Sequence, residues 1–241
     1  MRVLAWFSCG AASAVAAKLA VEKYGDQAVV VYCDTMQDEH PDNQRFFDDV
    51  QAWVGVPIQR IKSDKYASIE DVFTKRRYMS GVAGAICTGE MKKVPRFAFQ
   101  RPDDVHVFGL RSDETDRIDA MRSANPELRF DWILRDQYID ETAAKRRVQN
   151  AGIKLPAMYA LGYEHNNCLG CVKATSPRYW NMIRRDFPDV YERRAAQSRE
   201  LGVRLARVKG ERIFLDELAA TEDGPREAIE CGPQCVQTVL L

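Results

Sequence analysis

The chain has 241 residues, of which 46% are hydrophobic and 29% charged, enough apolar sequence for a full core and unlike disordered or fibrous compositions. Lysine plus arginine equals aspartate plus glutamate at 35 each, so overall charge gives no reason for nucleic-acid affinity and leaves only a local basic patch. No apolar stretch approaches the roughly 20 residues that span a bilayer, and the N-terminus lacks the ordered regions of a signal peptide, so a cytoplasmic protein without membrane contact is expected.

An apolar run, Val3 to Phe7, reads as a buried strand, followed by Ser8-Cys9-Gly10-Ala11-Ala12-Ser13 and an alanine-rich helical pattern ending near Tyr24. A strand that turns through small residues into a helix leaves backbone N–H groups unpaired at a point where the helix dipole favours negative charge. That predicts a phosphate cradle, with hydroxyls of Ser8 and Ser13 as further donors. The fully apolar run Ala28 to Cys33 is a second strand, covered on both faces and ending in Asp34-Thr35. A helix is expected from about Pro41 to Trp53, then strands at Ile58 to Ile61 and Val105 to Phe108, the last running into Gly109-Leu110-Arg111. This alternation predicts an α/β fold, a doubly wound, mainly parallel sheet whose ligand sits beyond the carboxyl ends of the strands. From about residue 140 the sequence turns helical and arginine-rich, at Glu141 to Asn150, Tyr179 to Arg185 and Pro188 to Leu201. The expected organisation is a nucleotide-binding domain over 1–140 and a helical, cysteine-containing lobe over 141–241 packed upon it.

Ordered motifs carry the chemistry. The opening loop lacks the spacing of a Walker P-loop or a dinucleotide fingerprint. Its Ser-x-Gly-x-x-Ser resembles the pyrophosphate loop of the adenine-nucleotide α-hydrolase, or N-type ATP pyrophosphatase, superfamily, with Cys9 and Ala12 where the pyrophosphatase pattern has glycine and aspartate. Tyr32-Cys33-Asp34-Thr35 with Glu39-His40-Pro41, Cys87-Thr88-Gly89-Glu90-Met91-Lys92-Lys93-Val94-Pro95, Gly109 to Arg117, and Pro156 to Tyr163 leading into Cys168-Leu169-Gly170-Cys171 follow in order. Together they resemble the phosphoadenosine-phosphosulfate (PAPS) reductase-like family of that superfamily, over roughly Val3 to Cys171.

The resemblance implies an adenine nucleotide, ATP or a relative, held by Ser8, Cys9, Gly10, Ala11, Ala12, Ser13, Asp34, Thr35, Gly109, Arg111, Glu114 and Arg117. Arg111 and Arg117 offer forked donors to phosphate or sulfate, and Lys92 and Lys93 mobile point charges. Asp34 and Glu39 are candidates for Mg²⁺, though Asp34 also suits a turn cap. His40 reads first as a helix opener, and His165 as an exposed loop residue near the cysteines. Of seven cysteines, Cys9 and Cys33 read as buried thiols. Cys168-x-x-Cys171 has metal-knuckle spacing that Cys231 and Cys235 complete, for zinc or a [4Fe-4S] cluster, and a competing set takes Cys87 with Cys168, Cys171 and one tail cysteine.

Three functions follow. One is ATP-dependent adenylation with sulfur transfer to an acceptor such as a nucleic-acid base, with Cys87, Lys92 and Arg111 at the reaction and a sulfur donor as partner. A second is a thioredoxin-dependent PAPS or adenylyl-sulfate reductase using Cys231, whose Glu230-Cys231-Gly232 resembles the reductases' catalytic tail. The third is a metal-stabilised, non-catalytic binding module that contacts nucleic acid through Arg178 to Arg207. Self-association as a homodimer is compatible with each.

Overall fold

The computed structural model describes residues 1–81, 84–227, 229 and 231. Five strands form one sheet: β1 (Val3–Phe7), β2 (Ala28–Cys33), β3 (Ile58–Ile61), β4 (Val105–Phe108) and β5 (Arg129–Phe130). Their order is β3-β2-β1-β4-β5, every pairing is parallel, and helices cover both faces, giving a doubly wound α/β sheet. The side-chain period of two divides β1 between the faces. Val3, Ala5 and Phe7 join one core with helices α1 (Ala11–Tyr24) and α2 (Asp42–Val54), while Leu4 and Trp6 enter another with Phe108, Ile118 and Met121. The four longer strands lie where their apolar runs predict. β5 was not expected: two residues, one of them arginine, carry no readable alternation.

A third core gathers helix α3 (Ile69–Arg76), the helical segment 86–99 (α4) and the chain beyond residue 157, including α7 (Pro177–Asp186) and α8 (Pro188–Glu200). Core membership departs from chain order. Helix α6 (Glu141–Asn150) packs on α1 through Ala144 and Val148 in the sheet's core, whereas Ile69 to Met91 belongs with the C-terminal elements. Helix α5 (Thr115–Ala124) covers the opposite face. None of the helices among the described residues is long and apolar enough to cross a membrane.

Two local features position the site. The strand order reverses between β1 and β4, and beyond their carboxyl ends loops 8–13 and 109–114 meet, the position where a doubly wound sheet binds its ligand. Within α4, residues Gly89–Lys93 form a π-helical turn between Cys87 and Pro95. Proline has no N–H to donate to the preceding turn, and the widened turn directs Lys92, which is only 7% exposed, into the interior.

Candidate functional site

The opening loop is shaped as a cradle. Cys9 takes a left-handed backbone, φ 54°, a conformation uncommon outside glycine, and turns its thiol into the core. Gly10 precedes α1 with extended backbone and gives it no side-chain cap, so apart from Ala11, which is bonded to Tyr159, the first-turn amides have no capping side chain at Gly10. The serine hydroxyls pin the loop: Ser13 Oγ donates to the Gly10 carbonyl at 2.9 Å and accepts the Ser8 N–H at 3.1 Å. Ala11 and Ala12 contribute backbone without bulk. Tyr159, which was not among the expected site residues, has its hydroxyl hydrogen-bonded to the backbone of Ala11, and the Lys145 ammonium lies 4.6 Å from its ring centre.

Gly109 presses on this loop. A Cβ there would stand 2.7 Å from the Ser13 backbone, so the β4 loop closes on the cradle only through glycine. Arg111 lies just beyond, its guanidinium forked onto Asp113 at 2.9 and 3.0 Å, with Glu114 and Glu141 nearby. Its charge is reinforced because these carboxylates outweigh the cost of burial, while Glu114 also accepts the Arg111 N–H and pairs with Arg117. Both arginines thus lie beyond β4 in ion pairs of their own loop.

At the end of β2, Asp34 accepts the Met36 N–H at 3.2 Å as a turn cap and lies 3.6 and 3.5 Å from Arg60 and Lys62. Glu39 is buried, and its carboxylate accepts from Tyr32 Oη, Thr35 Oγ1 and Asn43 Nδ2 at 2.8, 2.6 and 2.7 Å. Thr35 is therefore a support of Glu39, and Glu39 a bolt in the core. His40 accepts the Asp42 N–H at 3.1 Å and opens α2 as expected. His165 differs from the expected exposed loop residue: it is half-buried against Tyr179, and burial pushes its pKa down to about 4.

Near the opening loop, Cys231 hydrogen-bonds Cys171, and Cys87 and Cys168 lie within electrostatic reach of Cys231. Cys168 and Cys171 are buried, Cys87 and Cys231 partly open. Burial, then the neighbouring Cys231, pushes the Cys87 thiol up to about 12, and burial first raises Cys168 as well. Cys231 is held well below the usual thiol range, first by its side-chain hydrogen bond with Cys171, against burial, with Lys92 and Lys173 adding positive charge. Thr88 Oγ1 lies 3.7 Å from its sulfur, and Lys92 Nζ donates to its carbonyl at 3.4 Å. Although burial works to discharge Lys92, the charges of Cys231, Cys168, Glu39 and Cys33 hold its pKa well above normal. Both Cys87 and Cys231 lie near the Cys168–Cys171 loop, and Cys235, a member of the other expected four-cysteine set, lies outside the described residues. As the side chains stand, no group of three His, Cys, Asp or Glu among the described residues is disposed to hold a single metal ion.

The cysteines and the cradle share a wall. Asn166, two residues before Cys168, donates to the Cys9 carbonyl at 2.7 Å and to Asn43 Oδ1 at 2.8 Å, and its own Oδ1 is buried with no partner among the described residues. The Leu169 N–H donates to the Asp38 carbonyl at 2.9 Å. These bonds fix the Cys-x-x-Cys loop to the chain segments following β1 and β2. The arginines from Arg178 to Arg207 are largely engaged: Arg184 on the Leu215 and Leu218 carbonyls, Arg185 on Asp186, Arg193 near Glu70, and Arg199 on Asp216. Against known proteins, the chain matches no family model and no curated sequence.

Proposed function

We propose that this protein is a PAPS reductase-like enzyme that binds ATP in the 8–13 cradle, adenylates an acceptor and transfers sulfur to it, with Cys87, Cys168, Cys171 and Cys231 holding an iron–sulfur group. The observation that supports this reading is the Asn166 side chain, two residues before the Cys168–Cys171 turn, which donates to the Cys9 carbonyl of the 8–13 loop and to Asn43, so that the small-residue loop and the cysteine loop are joined directly. The donor chemistry suits the group: four thiols, one already favouring the thiolate, beside cationic Lys92 and Lys173. When bound, such a group supplies reduced sulfur or electrons at this end of the sheet.

The chain's own residues divide the work. The amides opening α1 take the phosphates, and Arg111 exchanges Asp113 for a phosphate oxygen, leaving Asp34 to meet Mg²⁺ beyond the strand ends. An acceptor oxygen then attacks the α-phosphorus and pyrophosphate leaves. Sulfide-level sulfur from a hydrosulfide donor next attacks the activated carbon of the acceptor, forming the C–S bond as the C–O bond to the adenylate breaks and AMP leaves. A thioredoxin-dependent reductase is the second reading, favoured by the depressed pKa of Cys231, which suits a nucleophile as it suits a ligand.

Anaerobically purified protein is expected to carry iron with sulfide. Serine at each of the four positions should remove most of it, and ATP titration should give a calorimetric signal that Arg111→Ala weakens about tenfold. Full metal content in all four variants, or no heat with ATP, would sink the reading. Sulfite release that needs thioredoxin and vanishes in Cys231→Ser would favour the reductase instead.

A further inference from the structure

We infer that Arg194, on α8, is the buried counter-ion of the four-thiol set and secures there a group of net negative charge; this rests on the thiolate-held group proposed above. Arg194 is 3% exposed. Its guanidinium has one hydrogen-bond acceptor among the described residues, Gln197 Oε1 at 2.8 Å, and its Nε, fully buried, has none. The Nε is turned to the cysteine loop: a Cβ on Gly170, between Cys168 and Cys171, would stand 3.7 Å from it. Gly170 has φ +61°, and that Cβ would meet Val190 at 2.9 Å, so glycine lets the loop lie directly on α8.

A buried guanidinium without a paired anion is strongly destabilising, so its persistence calls for compensating negative charge. Four groups reach it electrostatically: Glu70, Cys87, Asp38 and Tyr179. Glu70 is near Arg193 at 3.5 Å, Asp38 accepts the Ile69 N–H, and the Tyr179 hydroxyl accepts the Cys171 N–H. None of these carboxylates forms an ion pair with Arg194, and the Phe73 ring 5.1 Å away adds only a π face. Four thiolates around a [4Fe-4S] core of charge +2 bear a net charge of about −2. That charge, beside the Cys168–Cys171 loop, is what the orphaned Nε lacks. Lys92 and Lys173 face the same thiols from α4 and from the chain after Cys171, so Arg194 supplies the cation on the α8 side.

The test compares wild type with Arg194→Lys, Arg194→Met and Arg194→Gln, each purified anaerobically and assayed for bound iron, zinc and sulfide. Metal retention is read by competition with a chelator, and thermal midpoints are taken with and without metal. Expected is a loss of metal affinity of about ten- to a hundredfold in Met and Gln, with most of it recovered in Lys. The metal-free Met and Gln proteins should be at least as stable as metal-free wild type, because an uncompensated charge is gone. A merely structural arginine would instead lower both midpoints alike and leave retention unchanged, and that result overturns the proposal. Metal-free wild type from anaerobic cells would overturn the thiolate-held group itself, and the role of Arg194 with it.

Discussion

At the scale of single residues, the site separates groups that hold the loops from groups free to act. Glu39 belongs to the first kind. Its carboxylate is an acceptor for three donors at once, so Glu39→Gln would turn an amide N–H₂ toward at least one of them. We expect that substitution to reduce stability by about 2–4 kcal/mol in urea unfolding while leaving the Mg²⁺ dependence of ATP binding unchanged. A stable variant with altered Mg²⁺ dependence would show instead that Glu39 is a metal ligand. Residues such as Ser13 and Cys168 were legible because small-residue turns and Cys-x-x-Cys spacings are local patterns. Asn166 and Arg194 were not. An asparagine in a loop and an arginine in a charged helix are ordinary in sequence, and only tertiary packing buries one against Cys9 and the other against Gly170.

At the scale of elements, the cradle depends on how closely the loop after β4 approaches the start of α1. Gly109→Ala would place a methyl group 2.7 Å from the Ser13 backbone, where no flexible side chain can give way. The expected result is a loss of about 1–3 kcal/mol in stability together with weakened ATP binding. Gly10→Ala is the internal contrast, since its nearest neighbour would be the Tyr159 hydroxyl at 3.7 Å and its φ of −103° suits any residue. There the change should stay below about 1 kcal/mol by thermal or urea unfolding. Equal losses in the two variants would mean that the close approach at Gly109 is not what shapes the loop. The four longer strands and helices α1, α2, α6, α7 and α8 were legible through apolar runs, helical spacing and proline boundaries, whereas α3 and α5 were not expected. The π turn at Gly89–Lys93 was not, because a single widened turn leaves the helical apolar pattern intact and is decided by Pro95 and by the burial of Lys92.

At the scale of the whole molecule, the two ends of the chain's chemistry are held by a sheet whose central strands contain a titratable core. His106 on β4 is fully buried between Trp6 and Phe108, with ring centres 6.1 and 6.0 Å away, and its Nδ1 accepts the Trp6 indole N–H at 3.0 Å. That bond requires a lone pair on Nδ1, so a protonated imidazole cannot keep it. Burial is the main reason its pKa falls to about 4 from 6.5, with Arg96 contributing in the same direction. A histidine depressed on folding binds its proton more readily in the unfolded chain, so its stabilising effect is complete above pH 6.5 and is lost as the pH falls toward 4. From the two values, the loss between pH 7.5 and pH 5 comes to about 2 kcal/mol. Urea midpoints across that range should therefore fall in the wild type and fall less in His106→Phe, which keeps the aromatic stack and removes the proton site. Because β4 carries Gly109 at its end, the same acidification should loosen the cradle before the molecule unfolds. ATP affinity measured at pH 7.5 and pH 5.5 would then decline more steeply in the wild type than in His106→Phe, and parallel declines would place the sensitive group elsewhere.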